Sequence, residues 1–434
     1  MLKDSSIAFR VVGVAALLVL GAPTTAHAYL DPGTGSMLLS VCIGLLSTAW
    51  FMARKVPSLV RGALFKATGR ARQLKRKHIV IYAESANYWG TFRPLLEEFG
   101  RRGVEVEYLT STENDPCFSA GLAPCITCRS IGKGNAAYTA LNFLEADALV
   151  LTTPGVGVLQ IRRSKGVDKY IHVLHSVGDI HYYKLFSFDY YDAVICNGDY
   201  QVKSLRLLES LRGTKPKELP IAGCPYLDGL VARRDALGPN IPDPNCVLIA
   251  PTWGRLSMFS RYGAAVPKIL AEAGFDVILR PHPQSYISDV KLMEQMEIEL
   301  SGYTNITWDR NPDGFASLRR AAVMISDYST VIFDFAFVFF RPVITLYDEE
   351  QDPGSFEAFD LPHTRWNTTV LKDIGIPMTA PAIERLPELV RRLAAETDWP
   401  ERIRKVRDMY VANFGCAAGP VVDAILHLAP KEGK

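Results

Sequence analysis

Residues 321–347 read AAVMISDYSTVIFDFAFVFFRPVITLY. The apolar run 322–325 has the makeup of a buried strand, and it stops at Ser326-Asp327-Tyr328-Ser329-Thr330. An apolar segment of helix length follows, and Arg341-Pro342 leads into a second strand-like run. Strand, polar turn, helix and strand form the repeating unit of a parallel sheet. Ligands of such sheets bind beyond the carboxyl ends of the strands. Hydroxyls at that junction, ahead of a helix whose first N–H groups have no intrahelical partner, suit an anion. The same residues also suit an ordinary N-cap.

The pattern extends in both directions. HIVIYAE (78–84), VEVEYLT (104–110), ADALVLTTPG (146–155), KYIHVLHS (169–176) and YDAVICNG (191–198) read as one series of strand-to-loop units. A second series opens at CVLIAPTWG (246–254) and runs through FDVILRPHP (275–283), NITWDR (305–310) and RPVITLYDE (341–349). The linker LGPNIPDPN (237–245) separates them. Two Rossmann-like halves facing a cleft are predicted, over 78–235 and 245–430, in an α/β fold.

The N-terminus has a different character. Residues 9–28 combine a basic start, an apolar stretch and the small-residue end Ala26-His27-Ala28, so 1–28 read as a signal peptide or a first membrane segment. Residues 36–53 form an apolar run of membrane-spanning length. The flank 54–77 contains no acid. By the positive-inside rule this places the rest of the chain on the cytoplasmic side of the inner membrane. The formal net charge of +2 conceals this asymmetry: residues 1–77 hold eleven Lys/Arg against two acids, leaving 37 against 44 in the remainder. A mildly acidic globular part argues against a nucleic-acid partner. The eight cysteines are scattered, several inside apolar runs, as small buried hydrophobes are. Cys125 and Cys128 form a C-x-x-C pair with Cys117 upstream, yet a zinc site needs a fourth ligand. No compact acidic metal motif stands at a strand end, so no cofactor is required and Mg²⁺ is not indicated.

Several strand ends carry candidate chemistry. In Arg280-Pro281-His282-Pro283 two prolines fix the backbone and hold His282 off the sheet edge, where it suits a phosphate oxygen. Thr252 and Arg255 follow another strand and are placed to touch the same ligand. Asp334, one helical turn beyond Thr330, reads as structural, bonded to backbone or to a hydroxyl. In the first half His175 follows its strand as a general base would, with Asp179 and His181 nearby.

APTW (250–253), RPHP (280–283) and ISDYSTVIFDFAFVFFRPVI (325–344) together resemble the CDP-glycerol glycerophosphotransferase family, enzymes that prime and build poly(glycerol phosphate) teichoic acids. The resemblance spans roughly residues 78–426. It implies a GT-B arrangement of two Rossmann-like domains and transfer of glycerol phosphate, or a related polyol phosphate, from a CDP-linked donor to a lipid-linked or cell-envelope acceptor. His282, Ser329 and Thr330 would then contact the donor pyrophosphate, with Thr252, Arg255, Arg280, Ser326 and Asp327 around them. His175 would be the base. The family's histidine-glycine-threonine motif reads His175-Ser176-Val177 here, so only the histidine matches. A nucleotide-sugar glycosyltransferase and a non-catalytic nucleotide-binding relative share the same fold class.

Overall fold

Twelve strands, β1 to β12, form two parallel sheets in the computed structural model, which describes residues 76–239, 241–346, 356–362, 365–378 and 382–430. The first sheet contains β1 (Lys77–Ala83), β2 (Val106–Thr110), β3 (Ile126–Ser130), β4 (Glu145–Leu151), β5 (Gly166–Val173) and β6 (Ala193–Ile195), in the order β3-β2-β1-β4-β5-β6. The second contains β7 (Asp243–Ile249), β8 (Asp276–Leu279), β9 (Ile306–Trp308), β10 (Ala321–Ser326), β11 (Val343–Leu346) and β12 (Gly375–Met378), in the order β12-β11-β10-β7-β8-β9. Counted from its own first strand, each sheet has the same order. The chain reverses direction between β1 and β4 in one and between β7 and β10 in the other. The crevices that open at these reversals are where doubly wound sheets bind ligands.

Both sheets are covered on two faces, which explains the unbroken apolar runs. Residues 321–326 of β10 are all buried, between β7 and β11. Five helices position the cleft: α1 (Trp89–Arg101), α2 (Pro225–Ala236), α3 (Val331–Phe339), α4 (Trp366–Ile374) and α5 (Ala418–Leu428). Helix α5 follows the second sheet in sequence but packs on the first. Its buried face, Val421, Val422 and Ile425, joins the core of Ile79, Ile81 and Phe92. Asp228 of α2 fixes its start by accepting from Ala417 N and Ala418 N at 3.0 and 2.8 Å. The end of the chain therefore completes the first half, so a boundary that assigns everything after residue 245 to the second half does not describe the packing.

The signal-like segment, the apolar run 36–53 and the basic flank up to residue 75 lie outside the described residues. Arg76 and Lys77 belong to the fold: Lys77 opens β1, and Arg76 pairs with Asp147 and Asp168. Among the described residues no helix is long and apolar enough to cross a membrane.

Candidate active site

The loops after β7 and β10 are tied together by one carboxylate. Asp327 is almost fully buried, and its Oδ1 accepts from Thr252 N at 2.8 Å and from Ser329 N at 3.1 Å. Its Oδ2 accepts from Met258 N at 3.0 Å. Burial pushes this carboxyl up to about 6, against the opposing pull of those N–H groups. Ser326 Oγ donates to Ala250 O at 2.7 Å. Ser326 and Asp327 thus build the frame of the crevice and do not face a ligand, because the side-chain direction at this strand end turns both into the β7 loop. Arg280 is likewise engaged. Its guanidinium bonds Asp309 at 2.8 Å and the carbonyls of Asn311 and Pro312 at 2.7 and 3.1 Å. A donor-binding role for the side chains of Ser326, Asp327 and Arg280 does not fit this geometry.

Other expected residues do face the crevice. Ser329 and Thr330 are half-buried at the start of α3, and neither caps the helix with its side chain. Their hydroxyls and the helix start remain available to an anion. His282 is exposed, and its Nδ1 accepts from Gln284 N at 3.1 Å. That bond puts the proton of the neutral ring on Nε2, turned away from the backbone as a donor. Desolvation lowers the pKa of the ring, so it is neutral at physiological pH. The Trp253 ring lies 6.3 Å from it. Thr252 is half-buried beside them, and Arg255 is exposed with no ion pair among the described residues.

The first half contributes His175. Its imidazole meets the edges of Tyr88 and Tyr183 at 5.2 and 6.4 Å. Nδ1 is enclosed without a partner, which leaves Nε2 to meet a hydroxyl. Burial pushes the ring down to about 4, so it is neutral and able to take a proton. Three residues on, Gly178 has φ +156°, and a Cβ there would stand 2.9 Å from Thr330 Cγ2. Three residues span at most about 10 Å. The loop that follows His175 therefore packs against Thr330 at the start of α3, and a side chain at 178 would crowd that contact.

Asp179 and His181 are not free to act as alternative bases. Asp179 and Asn367 exchange two hydrogen bonds of 2.8 Å between the halves. His181 Nε2 lies 3.3 Å from Pro362 O, and Tyr182 stacks on Tyr328 with centroids 5.4 Å apart. Residues 178–182 thus clasp the second half. Sequence reading missed Asn367 because nothing local marks it: its role comes from a partner 188 positions away. The C-x-x-C pair does not act together either. Cys125 Sγ lies 3.9 Å from Gly100 O, the thiol neighbour of Cys128 is Cys117, and all the described cysteines are free.

The stretch that contains this cradle matches a known family. Residues 187–354 fit the model of CDP-Glycerol:Poly(glycerophosphate) glycerophosphotransferases. The match agrees with the resemblance to the CDP-glycerol glycerophosphotransferase family read from the sequence. It is a glycerophosphotransferase-like enzyme. Among solved structures, the wall teichoic acid polymerase TagF, as a variant soaked with CDPG, superposes with a TM-score of 0.52 at 17% identity, over 87% of this chain and 98% of that one. A putative UDP-N-acetylglucosamine 2-epimerase from Listeria monocytogenes gives 0.53 at 14% identity, over 83% and 98%. A further UDP-N-acetylglucosamine 2-epimerase gives 0.53 at 10%, over 83% and 98%. At these identities the likeness is one of fold, two parallel sheets in a GT-B-like arrangement. No curated protein sequence matches the chain.

Asp334 does not make the bond to backbone or hydroxyl expected of it: its Oδ1 is buried without a partner, although the residue is only 8% exposed. Burial pushes the carboxyl up to about 8.

Proposed function

We propose that the protein is a membrane-anchored transferase that moves glycerol phosphate, or a related polyol phosphate, from CDP-glycerol or a close CDP-linked donor to a hydroxyl of a lipid-linked or cell-envelope acceptor. The observation that carries this reading is the placement of a neutral, half-enclosed His175 within one short loop of the Ser329–Thr330 cradle, in a chain whose residues 187–354 match the family's model. His282 Nε2–H, the hydroxyls of Ser329 and Thr330 and the start of α3 hold the donor diphosphate. The acceptor oxygen attacks the β-phosphorus as its proton passes to His175 Nε2. The bond from that phosphorus to the bridging oxygen breaks, and CMP leaves with the electron pair. Transfer of this type depends mostly on positioning and on neutralising charge, which this site supplies with neutral donors and a helix dipole. A CMP leaving group needs no proton.

The apolar run 36–53 and its acid-free basic flank support anchoring in the inner membrane with the catalytic part in the cytoplasm, where nucleotide-linked donors are made. A donor comparison tests the function. Detergent-solubilised full chain is offered CDP-glycerol or a UDP-sugar with a hydroxyl acceptor, and the released nucleotide is identified. CMP from the CDP-linked donor is the expected product. A nucleoside diphosphate from the UDP-sugar, with CDP-glycerol left intact, would replace this reading with a glycosyltransferase.

A further inference from the structure

Residues 356–362 follow β11 of the second half but dock on the first. Phe356 forms an antiparallel bridge with Lys184, Glu357 N donates to Tyr183 O at 2.7 Å, and Leu361 joins the apolar core around Val80, Leu149 and Tyr170. The side chain of Glu357 is wholly buried. Its Oε1 accepts from Ser187 N at 2.8 Å, and its Oε2 pairs with Arg212 at the end of the helix Asp199–Arg212. Arg212 also bonds Asp189 at 2.8 Å and Asp360 at 2.9 Å. One carboxylate neutralises one guanidinium, and Asp189 and Asp360 are both partly exposed. Glu357 is the costliest of the three to desolvate. What it adds is its hold on residues 183–187.

That short loop is strained. Phe186 has φ +65°, a left-handed conformation that crowds the Cβ of a bulky residue, and the Arg212 guanidinium lies 4.8 Å from its ring. Such a conformation persists only where its surroundings over-determine it. Glu357 holds the loop at both ends, Tyr183 O through its own N–H and Ser187 N through its carboxylate, while Arg212 covers the middle. The first residue of the loop is a wall of the base. The Tyr183 ring meets His175 at 6.4 Å and His172 at 6.1 Å, and it packs on Phe188 at 4.9 Å. A base of this kind is commonly oriented by a hydrogen bond to its second ring nitrogen. Nδ1 of His175 has none, so the aim of the imidazole depends on the rings around it.

We propose that Glu357, clamped by Arg212, is a positioning residue for His175: it reaches from the second half to hold the strained Tyr183 loop against the imidazole, and so fixes the direction in which Nε2 meets the acceptor hydroxyl. The proposal rests on the transferase reading above. It adds that the base of the first half is aimed only while this strap of the second half is docked beside it.

The test uses detergent-solubilised full chain with CDP-glycerol and a hydroxyl acceptor, in wild type, Glu357→Ala, Glu357→Gln and Arg212→Lys. All three variants keep the backbone bond to Tyr183 O. Glu357→Ala removes the acceptor of Ser187 N, and Glu357→Gln retains one in its amide oxygen. Single-turnover transfer at saturating donor should fall in Glu357→Ala by about tenfold to a hundredfold, the scale of a base misplaced by up to about 1 Å, with donor affinity unchanged. Glu357→Gln should recover most of that rate. The pH profile is the second readout. Tyr88 and Tyr183 are the titratable groups whose rings meet His175, with His172 behind Tyr183. Burial lowers the imidazole to about 4, so a loosened wall that admits water should move the acid limb of Glu357→Ala up towards about 6.5 and leave that of Glu357→Gln near wild type. Arg212→Lys keeps the charge but not the fork, and should slow transfer and shift the limb in the same direction by less. A folded Glu357→Ala protein with the wild-type rate and an unmoved limb would overturn the proposal, whatever its loss of thermal stability. Lost donor affinity with normal transfer at saturation would overturn it too. If Glu357→Ala does not fold, a wild-type rate and limb in Arg212→Lys overturn it instead. Wild type that transfers nothing from CDP-glycerol would overturn the transferase reading, and this role with it. Wild type that transfers while the variants are indifferent removes only the role of Glu357.

Discussion

Asp179 and Asn367 meet across the cleft as a reciprocal pair: Asp179 N donates to Asn367 Oδ1, and Asn367 N donates to Asp179 Oδ2, both at 2.8 Å. The pair lies four residues past His175, so the loop that presents the base is also the loop that fastens the halves. Asp179→Ala keeps the backbone donor to Asn367 Oδ1 but leaves the buried N–H of Asn367 without its acceptor, and should lower apparent stability by about 1–3 kcal/mol. Asp179→Asn keeps an acceptor in place and should cost less. Denaturant titration followed by tryptophan fluorescence measures the order, and equal stability of the alanine variant would show that the pair fastens nothing.

His175 is assigned the acceptor proton. A general base contributes about 10²–10⁴-fold, so His175→Ala should bind CDP-glycerol like wild type and transfer more slowly by that factor. With the ring held down to about 4, its acid limb should fall near pH 4 and leave the rate flat through neutrality. Single-turnover transfer and donor titration on one variant separate the effects. Lost donor affinity with normal transfer at saturation would make His175 a donor ligand instead.

His282 donates from Nε2 because Nδ1 is committed to Gln284 N. His282→Ala removes a preoriented donor to the diphosphate and should slow transfer by about 10²–10³-fold in a protein that unfolds as wild type does. A folded His282→Ala enzyme with wild-type turnover would contradict the assignment.

Much of this fold can be read from the sequence, because buried parallel strands leave long apolar runs and both halves repeat them. The crevice loops are legible too: β7, β8 and β10 each end abruptly in Thr, Pro or Ser. What the sequence does not disclose is which way those side chains turn. Ser326 and Asp327 point into the β7 loop because β10 pairs with β7, a neighbour more than seventy residues away. Arg280, two residues before His282, turns back onto the carbonyls of 311 and 312 while His282 turns outward. Asp334 was visible in the sequence, but its lack of a partner was not, since partnership is decided by packing.

The same carboxyl should leave a signature in stability against pH. Its folded pKa of about 8 lies above the ordinary aspartate value of about 3.9. Between these values the folded chain keeps a proton that the unfolded chain has lost, so stability falls as pH rises and the loss is complete above about 8. Asp179, Asp228 and Asp327, each raised to about 6, act in the same sense at lower pH. His175 and His181, lowered to about 4, act oppositely, and their effect ends near pH 6.5. The window from about 6.5 to 8 therefore reports Asp334. Wild type should lose stability across it and Asp334→Asn should not. Parallel curves for the two proteins would show that the carboxyl is not held protonated.

The central claim is that the β-phosphorus of the donor moves with the polyol. CDP-glycerol carrying ³²P at the β position, incubated with the full chain and a hydroxyl acceptor, shows directly which bond breaks. The label should appear in the acceptor in step with unlabelled CMP. Label retained on released CDP, with glycerol alone transferred, would contradict phosphoryl transfer.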